Sequence, residues 1–267
     1  MGVLNVTPDS FSDGGIAFDP GHAIDLALRM EADGADIIDI GAESTRPGAA
    51  HVDAAEEWKR LRPVLKGLPH RLRVPVSIDT YKADVARHAL DTGVTIVNDI
   101  SGLGYDSRLG ALVGSRGAAL VLMHTRGRPS DMYRHANYGN VVLDISRELQ
   151  RSMERAIGSG VSWDRLLIDP GLGFAKRAEH SYTALAELER FAALGRPLLV
   201  GASRKSFLAA ASGVDAAERD WATAAAVTAS VLAGTHIVRV HRVAEMVQVV
   251  RVADAIRSAA SGNDLAH

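Results

Sequence analysis

Eight short apolar runs rich in β-branched residues recur along the chain, each separated from the next by a longer stretch with apolar positions at helical spacing. They are GVLNV within residues 1–6, ADIIDIG from Ala35, VPVSID from Val74, TIVNDI from Thr95, AALVLMH from Ala118, RLLIDPG from Arg165, PLLVGAS from Pro197 and THIVRVH from Thr235. Amphipathic stretches at residues 21–33, 54–66, 82–92, 141–159 and 221–233 lie between them, and a last one at about 244–259 precedes a short polar tail. Alternation of this kind builds a parallel sheet, because a crossover helix returns the chain to start a parallel neighbour. Eight such units in 267 residues predict an α/β fold closed as a (β/α)8 TIM barrel, which typically takes about 250 residues. A doubly wound open sheet is the alternative, but it usually carries a glycine-rich nucleotide turn early in the chain. No linker or low-complexity tract interrupts the pattern, so one domain over residues 1–267 is expected.

Polar residues gather where the apolar runs end: Asn5, Glu43, Asp79, Asn98, His124, Asp169, Ser203 with Arg204 and Lys205, and Arg239 with His241. In a closed parallel barrel these C-terminal strand ends converge on one face, where the active site sits. Any one of them alone reads as a strand meeting a polar loop. A mixed set of carboxylates, amides and cations at successive ends points instead to a binding mouth.

Two loops are long and oddly composed. NVTPDSFSDGG, residues 5–15, sets an apolar Phe11 among turn formers, and its expected place is over a ligand. ESTRPGA, residues 43–49, holds Arg46 in a turn shaped by Pro47 and Gly48. Either alone would pass as a surface loop; over one mouth the two read as mobile lids.

Arg46, Lys205, Arg239 and His241 suit an anionic group such as a diphosphate, with Ser203 and Ser206 adding hydroxyls beside the lysine. Arg147 and Arg251 read as solvated helix charges, whereas Arg239 inside HIVRVH requires an acceptor or a stacking partner. Asp79, Asn98 and Asp169 can pair with the amino and ring N–H groups of a heterocycle. Capping is the plainer role for the two aspartates, and paired carboxylates would also serve a glycoside hydrolase.

Composition narrows the partners. With 30 basic and 32 acidic residues the net charge is -2, so neither nucleic acid nor an anionic membrane is attracted by the chain as a whole. The absence of cysteine excludes disulfides and thiolate metal sites. Met1 runs straight into the first apolar run, and no apolar run approaches the ~18 residues of a membrane span, so a cytoplasmic location is expected.

The motifs MGVLNVTPDSFSDGG, ESTRPGA, SIDT, NDISG, MH, DPGLGF, GASRKS and VRVH, in this order, resemble those of bacterial dihydropteroate synthases over residues 1–243. SIDT or SRK alone would be weak, whereas the first loop is highly specific. The resemblance implies a (β/α)8 barrel, common homodimerisation, action as a sulfonamide target, and magnesium-assisted condensation of a pterin diphosphate with p-aminobenzoate in folate biosynthesis. It implies that Asp79, Asn98, Met123, Asp169, Phe174 and Lys205 form the pterin pocket, with Arg239 stacked on the ring. Asn5, Arg46, Arg239 and His241 would bind diphosphate, with Asn5 also near the magnesium. Phe11, Thr45, Pro47, Phe174 and Ser206 would receive the aminobenzoate. Asp79, Lys205, Arg46 and Asp13 would be the catalytic group.

Two departures from the family pattern bear on the site. Arg242 follows VRVH where aspartate is common, which puts a changed charge beside the diphosphate end. Trp221, in RDWAT, is bulkier than expected and reads as a helix-packing or subunit-interface residue. A pterin-dependent methyltransferase domain is the alternative enzyme, against which the first loop and SRK argue. A non-catalytic pterin-binding paralogue is the alternative outside catalysis, but it would have lost part of the diphosphate set.

Overall fold

The computed structural model describes residues 1–7, 19–46 and 48–260. The chain runs β1 (Gly2–Asn5), α1 (Pro20–Ala32), β2 (Ile38–Gly41), α2 (Ala54–Leu65), β3 (Val76–Asp79), α3 (Ala83–Leu90), β4 (Ile96–Asp99), α4 (Leu109–Arg116) and β5 (Ala119–Met123). It continues with α5 (Val141–Gly158), β6 (Leu166–Asp169), α6 (Ala178–Ala186), β7 (Leu199–Val200), α7 (Ser206–Ser212), α8 (Asp220–Leu232), β8 (Ile237–Val238) and α9 (Val243–Ala260). Every strand falls within an expected apolar run. The five amphipathic stretches and the last helix appear within one or two residues of their expected bounds.

β1 to β6 pair in sequence order and in parallel, and β7 pairs with β8. Parallel bridges Ile168↔Leu198 and Gly2↔Val240 join the two groups at both seams and close the ring. At those seams Ile168 N donates to Pro197 O (3.0 Å) and Val3 N to Val240 O (3.0 Å). The result is the (β/α)8 barrel, with α7 as an additional short helix in the loop after β7.

Period-2 alternation explains the residue pattern. Ile38, Ile40, Ile78, Val97, Leu120, Leu122 and Ile168 join the large core formed with the helices. Their neighbours Ile37, Ile96, Val121, Leu167, Leu199 and Ile237 pack with Met1 in a separate cluster that fills the barrel interior. One step further along the same inward rows stand Asp39, Asp79, Asn98, Asp169 and Arg239. The inward stripe is therefore apolar in the lower layer and polar towards the C-terminal end, which makes the mouth.

The helices are bounded by ordinary caps. The Asp53 carboxylate accepts from Glu56 N (2.8 Å) at the start of α2, and Asn140 accepts from Leu143 N (3.1 Å) at the start of α5. α5 buries Val141, Val142, Ile145, Leu149, Met153 and Ala156 along one face. Trp221 is not a helix-packing residue of this chain: it is 88% exposed in the first turn of α8.

Candidate active site

Arg239 leaves the end of β8 and crosses the mouth. Its Nε donates to Asp39 Oδ2 (2.6 Å) and its terminal nitrogen to Asp79 Oδ2 (2.8 Å), which supplies the acceptors its apolar run demanded. Asn98 Nδ2 also donates to Asp39 Oδ2 (3.1 Å). Strands β2, β3, β4 and β8 are thus tied by one polar knot, in which Asp39 and Asn98 are buried. Across the mouth Asp169 Oδ1 accepts from Gly171 N (2.7 Å), a turn-closing bond. A side chain at Gly171 would bring its Cβ to 2.0 Å from His124 O at a φ of +67°, so glycine is required there. Lys205 Nζ donates to Leu172 O (2.6 Å) and lies 4.6 Å from the Phe174 ring centroid.

These charges work against their burial. Burial pushes Asp79 up to about 7, with the Arg239 guanidinium opposing and Asp39 adding to the rise. Burial raises Asp169 too, against the pull of Lys205. Lys205 is pushed down to about 8 by burial, which the Asp169 charge only partly offsets. For Arg239 burial is the largest effect and opposes the charge, but Asp39 and Asp79 together outweigh it and raise its pKa. Such a concentration of shifted groups in one concave mouth is what a functional site produces.

A cationic rim surrounds His241. Its Nδ1 meets Ser203 Oγ at 2.9 Å, and burial with the charges of Arg239, Arg204 and Arg46 lowers its pKa to about 4. Three guanidiniums therefore act on one neutral imidazole, an arrangement that an incoming dianion would relieve. Arg242 is directed elsewhere: its Nε donates to Glu245 Oε1 (2.8 Å) on the exposed side. Asn5 ends β1 at the same rim, half-buried.

Thr45 and Arg46 sit on a loop pinned at its neck. The Glu43 carboxylate accepts from Val52 N (2.9 Å), Tyr81 Oη (3.2 Å) and Lys82 Nζ (2.6 Å), and the buried Lys82 also reaches Glu57. Arg46 itself is exposed and has no side-chain partner among the described residues. A cavity of about 660 Å³ flanks this loop, lined by Glu43, Thr45, Tyr81, Lys82, Tyr105 and Arg128 among others; it borders the mouth and does not include the Arg239 knot.

Met123 and Phe174 do come together, in a small cluster with Tyr81, Ile100 and Tyr105 above the mouth. Ser206 is exposed at the start of α7. Phe11, Asp13 and Pro47 lie outside the described residues. Asp39 escaped the sequence reading, although a carboxylate inside IIDIG carries the same signal as Arg239 inside HIVRVH. The support beneath Phe174 also went unread. Buried Lys176 Nζ donates to His124 Nδ1 (2.8 Å) and to Phe174 O (3.0 Å), and His124 Nε2 lies 2.9 Å from Glu148 Oε2.

Among the described residues no group of three His, Cys, Asp or Glu could hold a metal. A magnesium ion carried by a diphosphate keeps most of its ligands as phosphate and water oxygens, so the single amide carbonyl of Asn5 at this rim fits that mode of binding.

Residues 1–241 match the pterin binding enzyme family. The dihydropteroate synthase of Synechocystis is 44% identical over 96% of this chain and 89% of its own length. The Yersinia pestis dihydropteroate synthase, solved with a sulfonamide drug, superposes with a TM-score of 0.91 at 40% identity, covering 97% of this chain and 94% of that one. The Xanthomonas albilineans synthase with 4-aminobenzoic acid does so with a TM-score of 0.90 at 37% identity, over 97% and 92%. A barrel with this mouth is thus of the pterin-binding class of enzymes. Within that class the chain belongs to the dihydropteroate synthase family.

Proposed function

We propose that this barrel condenses 6-hydroxymethyl-7,8-dihydropterin diphosphate with p-aminobenzoate, giving 7,8-dihydropteroate and diphosphate in folate biosynthesis. The observation that carries the reading is the union, in one mouth, of a buried carboxylate and amide set with a cationic rim, in a chain of this family. Asp79, Asn98, Asp169 and Lys205 hold the pterin edge, with Met123 and Phe174 against its faces. Arg239, bound to Asp39 and Asp79, presents its plane to the ring.

The C–O bond between the pterin methylene and the diphosphate breaks first, and the electron pair leaves with the diphosphate. Arg46, Arg239 and His241 neutralise the charge that grows there. The remaining cation is spread into the ring beside the Asp79 carboxylate. The weakly nucleophilic arylamine then donates its lone pair to form the C–N bond and loses a proton. Asn5 would help hold a diphosphate-bound magnesium ion, which would supply Lewis-acid stabilisation of the leaving group. Thr45 and Phe174, with Phe11 and Pro47, enclose the aminobenzoate, and Ser206 with the backbone near Lys205 receives its carboxylate. Closure of the loops would exclude water that would otherwise trap the cation, and Asp13, outside the described residues, would be a candidate to assist near the reacting carbon.

Diphosphate release is expected only when pterin diphosphate and p-aminobenzoate are supplied together, measured in a coupled assay. Silence with both substrates sinks the reading, and turnover that needs a corrinoid methyl acceptor favours the methyltransferase instead. A linked effect follows from the loops. Diphosphate with magnesium is expected to tighten aminobenzoate binding, because Arg46 and Phe11 lie on separate loops and make their contacts together only in the closed state. Calorimetric titration of p-aminobenzoate with and without diphosphate and magnesium reads this, and equal affinities refute it.

We place the enzyme in the cytoplasm as a homodimer through its late helices. α8 and α9 pack on each other and leave Trp221, Leu232, Val252 and Ile256 exposed, an apolar surface that suits a second copy. Among the described residues no helix is long and apolar enough to cross a membrane.

A further inference from the structure

Arg204 is one of three non-glycine residues with positive φ among the described residues, at +59°. It stands between Ser203, which holds His241, and Lys205, which reaches Leu172 in the loop after the adjacent β6. Lys205 N donates to Ala202 O (3.3 Å), so Arg204 occupies the third position of a tight turn, where glycine normally supplies the left-handed conformation. Something must hold an arginine there, and the first turn of α8 together with Arg219 just before it touches Arg204 at three separate places. Arg204 N donates to the Thr223 hydroxyl oxygen (3.1 Å), and Thr223 is 1% exposed. Arg204 O accepts from the Arg219 guanidinium (3.1 Å). The Arg204 guanidinium donates to both oxygens of Asp220 (3.1 and 3.3 Å), which Arg242 also approaches at 3.9 Å.

We propose that Arg219, Asp220 and Thr223 form a positioning clamp that holds Arg204 left-handed and thereby sets Ser203 and Lys205 at the mouth. The clamp gives the RDWAT segment a part in the site although none of its residues faces the substrate. Its backbone contacts act on the peptide groups of Arg204 itself, so releasing them lets the turn relax and moves the lysine with it. The inference rests on the proposed role of Lys205 in holding the pterin.

Thr223→Val keeps the buried volume and removes only the oxygen that receives Arg204 N. It is expected to raise the KM for pterin diphosphate about tenfold with kcat little changed, as one buried N–H loses its partner next to the binding lysine. The melting temperature is expected to fall by only about 3 °C. Thr223→Ser, which keeps the hydroxyl, restores the KM. In a Lys205→Ala background, where only the Ser203 side of the turn remains to be displaced, Thr223→Val adds much less than this tenfold increase. A native KM in Thr223→Val, equal impairment in the Ser and Val variants, or additive effects with Lys205→Ala would each overturn the clamp. If Lys205→Ala is itself unimpaired in pterin binding, the substrate assignment fails and takes the clamp with it. An impaired Lys205→Ala beside a native-like Thr223→Val defeats the clamp alone.

Discussion

Arg46→Ala is expected to keep the affinity for the pterin nearly intact and to lose turnover by about 100-fold or more, the scale seen when a donor to a developing negative charge is removed. The pterin pocket proposed above is built from groups on β3, β4, β6 and the loop after β7, none of which touches Arg46. Arg46 is nevertheless near enough to His241 for its charge to depress that imidazole, which puts it on the anion side of the mouth. Its loop is anchored at the neck by Glu43, through Val52, Tyr81 and Lys82. An exposed guanidinium with no partner among the described residues is free to meet the diphosphate as the C–O bond breaks. It interacts most strongly once charge has built up on the leaving oxygens, and so contributes more to the transition state than to the ground state. Steady-state diphosphate release paired with direct pterin binding separates the two quantities. Near-normal turnover in the variant would falsify the lid mechanism, and a pterin affinity that falls as far as turnover does would mean that Arg46 is a ground-state ligand.

The fold was legible because each strand is a short apolar run with its own turn signals, and because inward and outward positions alternate so cleanly. The less visible helices have plain reasons. α4 carries Gly110 and Gly114, which weaken its helical pattern, and α7 is a seven-residue helix, too short for a clear periodicity. In the site, polar residues at the ends of apolar runs marked several side chains that the barrel brings together at one mouth, yet their pairing could not be read from the runs. Asp39 and Arg239 are 200 residues apart, and only barrel closure brings them to 2.6 Å. Asp79 reads from sequence as a pterin ligand, and its observed bond to Arg239 depends on that same closure. The Arg204 clamp was invisible for a different reason. A left-handed φ leaves no trace in a sequence when the residue is not glycine.

Arg239→Leu is expected to destabilise the barrel by about 3–5 kcal/mol near pH 8, the range for breaking a buried pair by removing one partner. The loss is expected to shrink as the pH falls. Arg239 satisfies two carboxylates at once, and the buried Asp39 and the partly buried Asp79, on the neighbouring strands β2 and β3, would otherwise stand close together without it. Asp79 is already pushed up to about 7 by burial even with the arginine opposing, and removing the guanidinium raises it further. A carboxyl whose folded pKa lies above its unfolded value contributes stability that is complete below the unfolded pKa, near 3.9, and is lost as the pH rises through the folded one. The variant therefore takes up a proton at Asp79 on folding and keeps much of its stability at pH 5. Above about pH 7 it must bury the ionised group without its partner. The native protein feels the same trend more weakly, because the arginine favours the ionised form. Urea unfolding of both proteins at pH 5 and pH 8 measures the difference, and an equal loss at the two values would show that Arg239 contributes through packing of its side chain and not through its charge.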